Sequence, residues 1–334
     1  MLHPHLGTLV VRGAYRTTLL LLASLTAAST AFAGATTTVI GTVGARGHIA
    51  QGGGLVVVTQ LAGDGTATLA IGSKNGAPRA IRTRPLPEWG LPHVGTSELG
   101  TTVIVYPSCA RPTSVRSCNL RVFDVTFGTD QPLSGSAATR GHGEIEGDMD
   151  RGALAIVRWT ADPGVPNALA LGGTANTATQ LLYQPFGQPA RRLTPLGGQQ
   201  IDLDRGRIAQ VRDADPSPAC NAPAIEIVTI QQTMRVLAQR RCAAVDEVML
   251  APTFFDRQLV WGLRTASAST IQRAATRGGQ RILQAPTVPF AVAAPSGPRA
   301  AFQLRGDVTP ALGADATRLT SAWTFALSED LALH

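Results

Sequence analysis

An all-β fold is what this sequence predicts, a β-propeller of about six four-stranded blades in one domain over residues 34–334. Three observations predict it. A turn followed by a short apolar run recurs six times along the chain. Successive turns lie roughly 40–54 residues apart, about the length of a four-stranded blade. No stretch keeps a 3.6-residue apolar period, and the best helix candidate, Ser269–Ala275, is flanked by Thr265 and Gly278-Gly279.

In chain order, the recurring unit begins with Gly52-Gly53-Gly54 before Leu55–Val58, and Leu99-Gly100 before Thr101–Tyr106. It continues with Asp150-Arg151-Gly152 before Ala153–Val157, and Asp204-Arg205-Gly206 before Arg207–Val211. Asp256-Arg257 before Gln258–Leu263, and Ser296-Gly297-Pro298 before Arg299–Gln303, complete it. Asp or Ser opens such a turn by bonding its own backbone, and Gly supplies the positive φ. The nearly continuous apolar run after it fits a strand buried on both faces, as the inner strands of a propeller are. Further strands follow at Asn119–Val125, Ala224–Ile230 and Met234–Leu237. The β-branched segment Thr36–Val43 is expected to close the ring by joining the last blade beside Arg318–Leu327. Two tandem β-sandwiches are the rival architecture, but no linker separates two halves.

Residues 1–33 read as a secretory signal peptide. Arg12 and Arg16 precede an apolar run over Leu19–Ala28, and Ala31-Phe32-Ala33 offers the small-x-small pattern of a cleavage site. The run is roughly 12–14 residues, short for a hydrocarbon core about 30 Å thick. A secreted or otherwise extracytoplasmic protein beginning near Gly34 is expected, with no transmembrane span after cleavage. The formal charge of +7 loses two units with Arg12 and Arg16, and Lys74 is the only lysine. The arginines are scattered. They suit protection of strand edges or, alternatively, an anionic partner such as a cell-wall polymer or lipid headgroup; a nucleic-acid partner is not expected.

The four cysteines lie in the mature chain, and an even number in an exported protein favours disulfides. Cys109 with Cys118, and Cys220 with Cys242, are spaced as local staples. No clustered Cys/His spacing predicts a metal site, and no motif predicts a cofactor.

Candidate chemistry is sparse. Asp148-Met149-Asp150 and Asp202-Leu203-Asp204 occupy equivalent places in consecutive repeats. They could hold Ca²⁺, but no further ligand follows at short spacing, so turn capping is expected. Arg140–Asp148 is the densest polar run, in which His142 with Glu144 could form an acid/base pair if it lay on a hub face; a surface connection is the plainer expectation. His48, His93, His142 and His334 share no close spacing with Asp, Glu or Cys. Ser108 and Ser217 lack a nucleophile-elbow context. Trp89, Trp159, Trp261 and Trp323 are expected to pack blades rather than stack on sugars.

The turn-plus-strand unit, clearest at Asp150–Val157, Asp204–Val211 and Asp256–Leu263, resembles the blade motif of TolB-like and WD-repeat-like six-bladed propellers. The resemblance implies ligand or protein binding at the hub faces and no single chemistry. The functional expectation is a monomeric, non-catalytic exported binding or scaffold protein that holds a protein, peptide or glycan. The alternative is a polysaccharide lyase or glycosidase on the same scaffold.

Overall fold

The computed structural model describes residues 48–52, 55–73, 78–112, 114–133, 143–159, 179–194, 198–213 and 222–239. Beyond these it describes the strand segments 248–255, 258–264, 269–275, 282–284, 299–302, 307–308, 319–320 and 325–328. The expected signal peptide, the closing segment Thr36–Val43, Cys220, Cys242, His142, Ser217 and Trp323 lie outside the described residues.

Strands dominate, and each main sheet is an antiparallel meander. The first contains β1 (Ile49–Gly52), β2 (Leu55–Leu61), β3 (Thr66–Ser73), β4 (Arg79–Ala80) and β5 (Leu86–Pro87). The second contains β6 (His93–Thr96), β7 (Thr102–Cys109), β8 (Cys118–Asp124) and β9 (Thr129–Pro132). The third contains β10 (Gly143–Asp150), β11 (Ala153–Trp159), β12 (Thr179–Gln184) and β13 (Arg191–Thr194). The fourth contains β14 (Gln199–Asp204), β15 (Arg207–Asp213), β16 (Pro223–Thr229) and β17 (Met234–Gln239). The fifth contains β18 (Val248–Phe255), β19 (Gln258–Arg264), β20 (Ser269–Ala275) and β21 (Ile282–Gln284). Last come β22 (Arg299–Phe302), β23 (Asp307–Val308), β24 (Leu319–Thr320) and β25 (Phe325–Ser328), which form two separate two-stranded pairs.

Among the described residues the strands build an all-β propeller with four four-stranded blades, β6–β9, β10–β13, β14–β17 and β18–β21, and not the six expected. This also removes the identification with the six-bladed TolB-like and WD-repeat-like architecture. The error has a physical origin: counting turns counts hairpins, not blades. The first turn does open a hairpin, but the proline-containing run Pro78–Pro87 breaks the outer edge of that sheet. Two short pieces, β4 and β5, both pair with β3. The sixth turn lies outside the described residues, and β22 after it pairs, among the described residues, with β25 alone. Sandwiches are not formed, because β6, β10, β14 and β18, the first strands of successive blades, lie beside one another. Ser269–Ala275 is a strand, as its flanking residues implied.

The two-sided burial read from the apolar runs holds. On β11, Ala155, Val157 and Trp159 pack with Leu181 and with Ile201, Leu203 and Ile208 of the next blade. The alternate residues Leu154 and Ile156 pack against Val103, Val105 and Leu120 of the preceding blade. A period of two thus sends one strand into two inter-blade cores. These apolar runs are the second strands of their blades. The innermost strands precede the turns, in segments that read as polar connections. Arg151-Gly152 and Arg205-Gly206 each join an inner strand to its neighbour in two residues, all four with positive φ. That is the hairpin geometry whose twist matches the strands. Cys109 and Cys118 face each other at the end of the β7–β8 pair and are disulfide-bonded. Among the described residues, no helix is long and apolar enough to cross a membrane.

Candidate functional site

The inner strands carry the unusual chemistry. On β10 the sequence Gly-Glu-Ile-Glu-Gly-Asp-Met-Asp alternates carboxylates with small or apolar residues. Period-two geometry would put all four acids on one face. A register shift between Glu144 and Glu146 separates the first from the others. Glu144 accepts from Leu120 N–H at 3.4 Å and pairs with the Arg158 guanidinium at 3.0 Å. Glu146 and Asp148 address β14, and Asp150 addresses the turn that follows it.

Glu146 accepts from the backbone N–H groups of Gln200 at 2.7 Å and Ile201 at 2.8 Å. The left-handed conformation of Gln200, φ 53°, belongs to an irregular stretch of β14 between Gln199 and Asp202. Consecutive N–H groups there converge on one carboxylate, the geometry of an anion-binding nest. Asp148 accepts from Leu203 N–H at 2.6 Å and Met149 N–H at 2.8 Å. Asp150 accepts from Arg205 N–H at 2.8 Å. One blade on, Asp202 accepts from Phe254 N–H of β18 at 2.6 Å. One blade back, the Thr96 hydroxyl and carbonyl accept from Arg151 and Gly152 N–H. The inner strands β6, β10 and β14 thus each satisfy backbone donors of the blade that follows.

His93 on β6 joins this row. Its Nε2 lies 2.9 Å from Glu146 Oε1, so Glu146 ties three blades together. Burial opposes charge on the imidazole, but the hydrogen bond to Glu146 and the charges of Glu146, Asp148 and Asp202 prevail and raise it to about 9. Burial raises Asp148 to about 6 against the pull of His93 and of its backbone donors. Burial, reinforced by the charge of Asp148, raises Asp202 to about 8. Close approach of the strands is needed: a Cβ on Gly95 of β6 would lie 1.9 Å from the Met149 carbonyl oxygen of β10.

Two further networks stay within the sheets or at their outer edges. Glu226 accepts from Arg212 through both carboxylate oxygens and from Gln210, whose own carbonyl takes Gly198 N–H. The buried Tyr106 donates to Asp130 at 2.8 Å, and Arg121 donates to the same carboxylate. Burial and Asp130 both hold the phenol well above its ordinary range.

The residues singled out in the sequence are dispersed by the fold. Asp148 and Asp202 do hold equivalent places, but they cap the next blade rather than their own turns. Glu144 is paired with Arg158 and is not a free acid. Ser108 donates to the Pro85 carbonyl, and His48 Nε2 lies 3.1 Å from the Glu88 carbonyl. Trp159 and Trp261 are buried, while Trp89 is half-buried and donates to the Pro112 carbonyl. Sequence reasoning missed His93 with Glu146, which lie 53 residues apart. The available signal was the repeat length itself, since residues one period apart become neighbours at the inner strands. Among the described residues, no group of three or more His, Cys, Asp or Glu side chains could hold a metal ion.

Fold and site together define a propeller-fold protein whose inner-strand acids are engaged between blades. No family model and no curated protein matches the chain. Similar solved structures include the fucose-specific lectin from Aleuria aurantia, with 10% identity, 72% of this chain and 77% of the lectin covered, and a TM-score of 0.44. A prolyl endopeptidase structure shares 12% identity over 75% of this chain, with a TM-score of 0.41. The match covers 35% of the endopeptidase chain. A subtype N11 neuraminidase-like protein shares 11% identity over 71% of this chain and 69% of its own, with a TM-score of 0.38. Likenesses at this level lend the chain neither an activity nor a ligand.

Proposed function

We propose that this chain is an exported, non-catalytic binding protein whose propeller presents a rigid surface to an extracytoplasmic protein, peptide or glycan. One observation carries the reading: the Asp, Glu and His groups that converge at the inner strands are occupied in joining blades. Glu146, the most central, holds two backbone N–H groups and His93, and its side chain is only 3% exposed. A general acid or base must reach a substrate proton within about 3 Å. Here the proton-bearing partners are the protein's own. The Cys109–Cys118 bridge supports export, since disulfides persist in oxidising compartments.

The test uses the mature chain on glycan and peptide arrays, with bound ligands recovered and weighed by mass spectrometry. Saturable binding of ligands recovered unchanged is expected. Turnover of a polysaccharide or peptide that disappears in His93→Gln and Glu146→Gln would overturn the reading in favour of an enzyme.

A further inference from the structure

The meander topology divides every blade's turns between two ends. The turns joining first to second strands and third to fourth strands emerge at one end, and those joining second to third at the other. Hydrogen bonds between neighbouring blades show that the blades share this orientation. Arg205 N–H, in the β14–β15 turn, reaches Asp150 at the end of β10, and the Arg191 guanidinium, at the start of β13, reaches the Ile230 carbonyl in the β16–β17 turn at 2.8 Å.

The large apolar side chains most exposed among the described residues are Leu99 at 75%, Phe127 at 65%, Phe186 at 60% and Met234 at 53%. All four belong to this one end. Leu99 lies in the β6–β7 turn, Phe127 in β8–β9, Phe186 in β12–β13, and Met234 opens β17 just after the β16–β17 turn. Phe127 and Phe186 repeat in detail. Each precedes a glycine of positive φ, Gly128 at 65° and Gly187 at 68°, in the same turn of consecutive blades. Both tips are ordered by their own bonds. Asp124 accepts from Thr126 and Phe127 N–H, and Gln188 N–H returns to the Pro185 carbonyl. The rings are thus held outward, although a ring in water gains nothing for folding.

The same end carries cations. The side chains of Arg151 and Arg205, at adjacent inner turns, are 76% and 67% exposed. Their contacts with Asp150 and Asp204 are loose, at 4.0 and 3.6 Å. We infer that this end of the propeller docks on an anionic lipid surface, the apolar tips entering the interface while Arg151 and Arg205 meet headgroup phosphates. A protein partner would need a continuous face of about 800 Å². Separate protruding tips with exposed cations at the same end suit a bilayer interface, which accepts buried apolar area and attracts basic groups. The inference concerns where the module is held, and stands apart from what the propeller binds.

The experiment is co-sedimentation of the mature chain with vesicles of phosphatidylcholine alone and of phosphatidylcholine with phosphatidylglycerol. Binding to the mixed vesicles, weakened by added salt, is expected. The double variant Phe127→Ser/Phe186→Ser should reduce that binding by about tenfold or more. Arg151→Gln/Arg205→Gln should abolish the preference for anionic lipid. Both variants alter exposed tips, and unchanged thermal melts confirm that they fold. A wild-type chain that ignores both kinds of vesicle overturns the inference, whatever protein it captures instead. Binding left intact in the phenylalanine variant overturns it equally.

Discussion

Asp148 Oδ2 accepts the Leu203 backbone N–H at 2.6 Å, across 55 residues of sequence and one blade of structure. With Glu146 and Asp150, it places three side-chain acceptors of β10 along the backbone of β14 and of the turn that follows it. Inner strands of neighbouring blades are thus joined by carboxylates reaching backbone donors.

Removing the central carboxylate is costly. Glu146→Ala strands two backbone N–H groups, that of Ile201 buried and that of Gln200 half-buried, and takes the acceptor from His93; a loss of about 3–5 kcal/mol is expected. Glu146→Gln keeps an acceptor and should lose less. Chemical denaturation of the two variants beside wild type measures both.

The cluster also sets a pH dependence. His93, raised from 6.5 to about 9, stabilises fully below 6.5 and loses that contribution as pH rises through 9. Asp148 and Asp202, raised from 3.8 to about 6 and about 8, hold protons that the unfolded chain has released, so their contributions also fall as pH rises. All three act in the same direction. Denaturation midpoints should decline from about pH 4 to about pH 9, and Asp202→Asn should flatten the decline between about pH 4 and about pH 8. A midpoint constant over that interval would contradict the assignment.

Gly95→Ala should be among the most damaging small changes. The added methyl would overlap the Met149 carbonyl at 1.9 Å, and neither inner strand can retreat without breaking inter-blade bonds. Loss of soluble, cooperatively melting protein is expected. Gly100→Ala, in a turn with open space around it, is the control and should cost only the strain of a positive φ.

Reduction of Cys109–Cys118 reopens a loop with a sequence separation of 9. The chain-entropy account gives a loss of roughly 2–3 kcal/mol, with the fold retained because the inter-blade cores are elsewhere. A melt of Cys109→Ser/Cys118→Ser reads it directly. Secreted material should begin at Gly34, as N-terminal sequencing will show.

The second strands of the blades were legible in the sequence because burial on both faces leaves a continuous apolar run, as at Ala153–Val157. The inner strands were not. Glu144, Glu146, Asp148 and Asp150 look like a solvated connection, since a carboxylate bonded to a distant N–H is written no differently from one bonded to water. The blade count failed for a related reason: Gly52–Gly54 announces a hairpin, while pairing beyond that hairpin depends on segments with no comparable mark. His93 escaped notice because its partner lies one repeat away, and spacing arguments look within a few residues.

The bonds between the blades' inner strands have a direction. Thr96, Glu146, Asp148, Asp150 and Asp202 accept, and every main-chain donor they take from a neighbouring blade lies later in the chain. A nascent chain leaving the ribosome N-terminus first therefore displays each row of acceptors before the segment that fills it has emerged. Assembly order is written into the polarity of these bonds. Transposing two blades, even with every core residue kept, would set acceptor rows against the wrong successors.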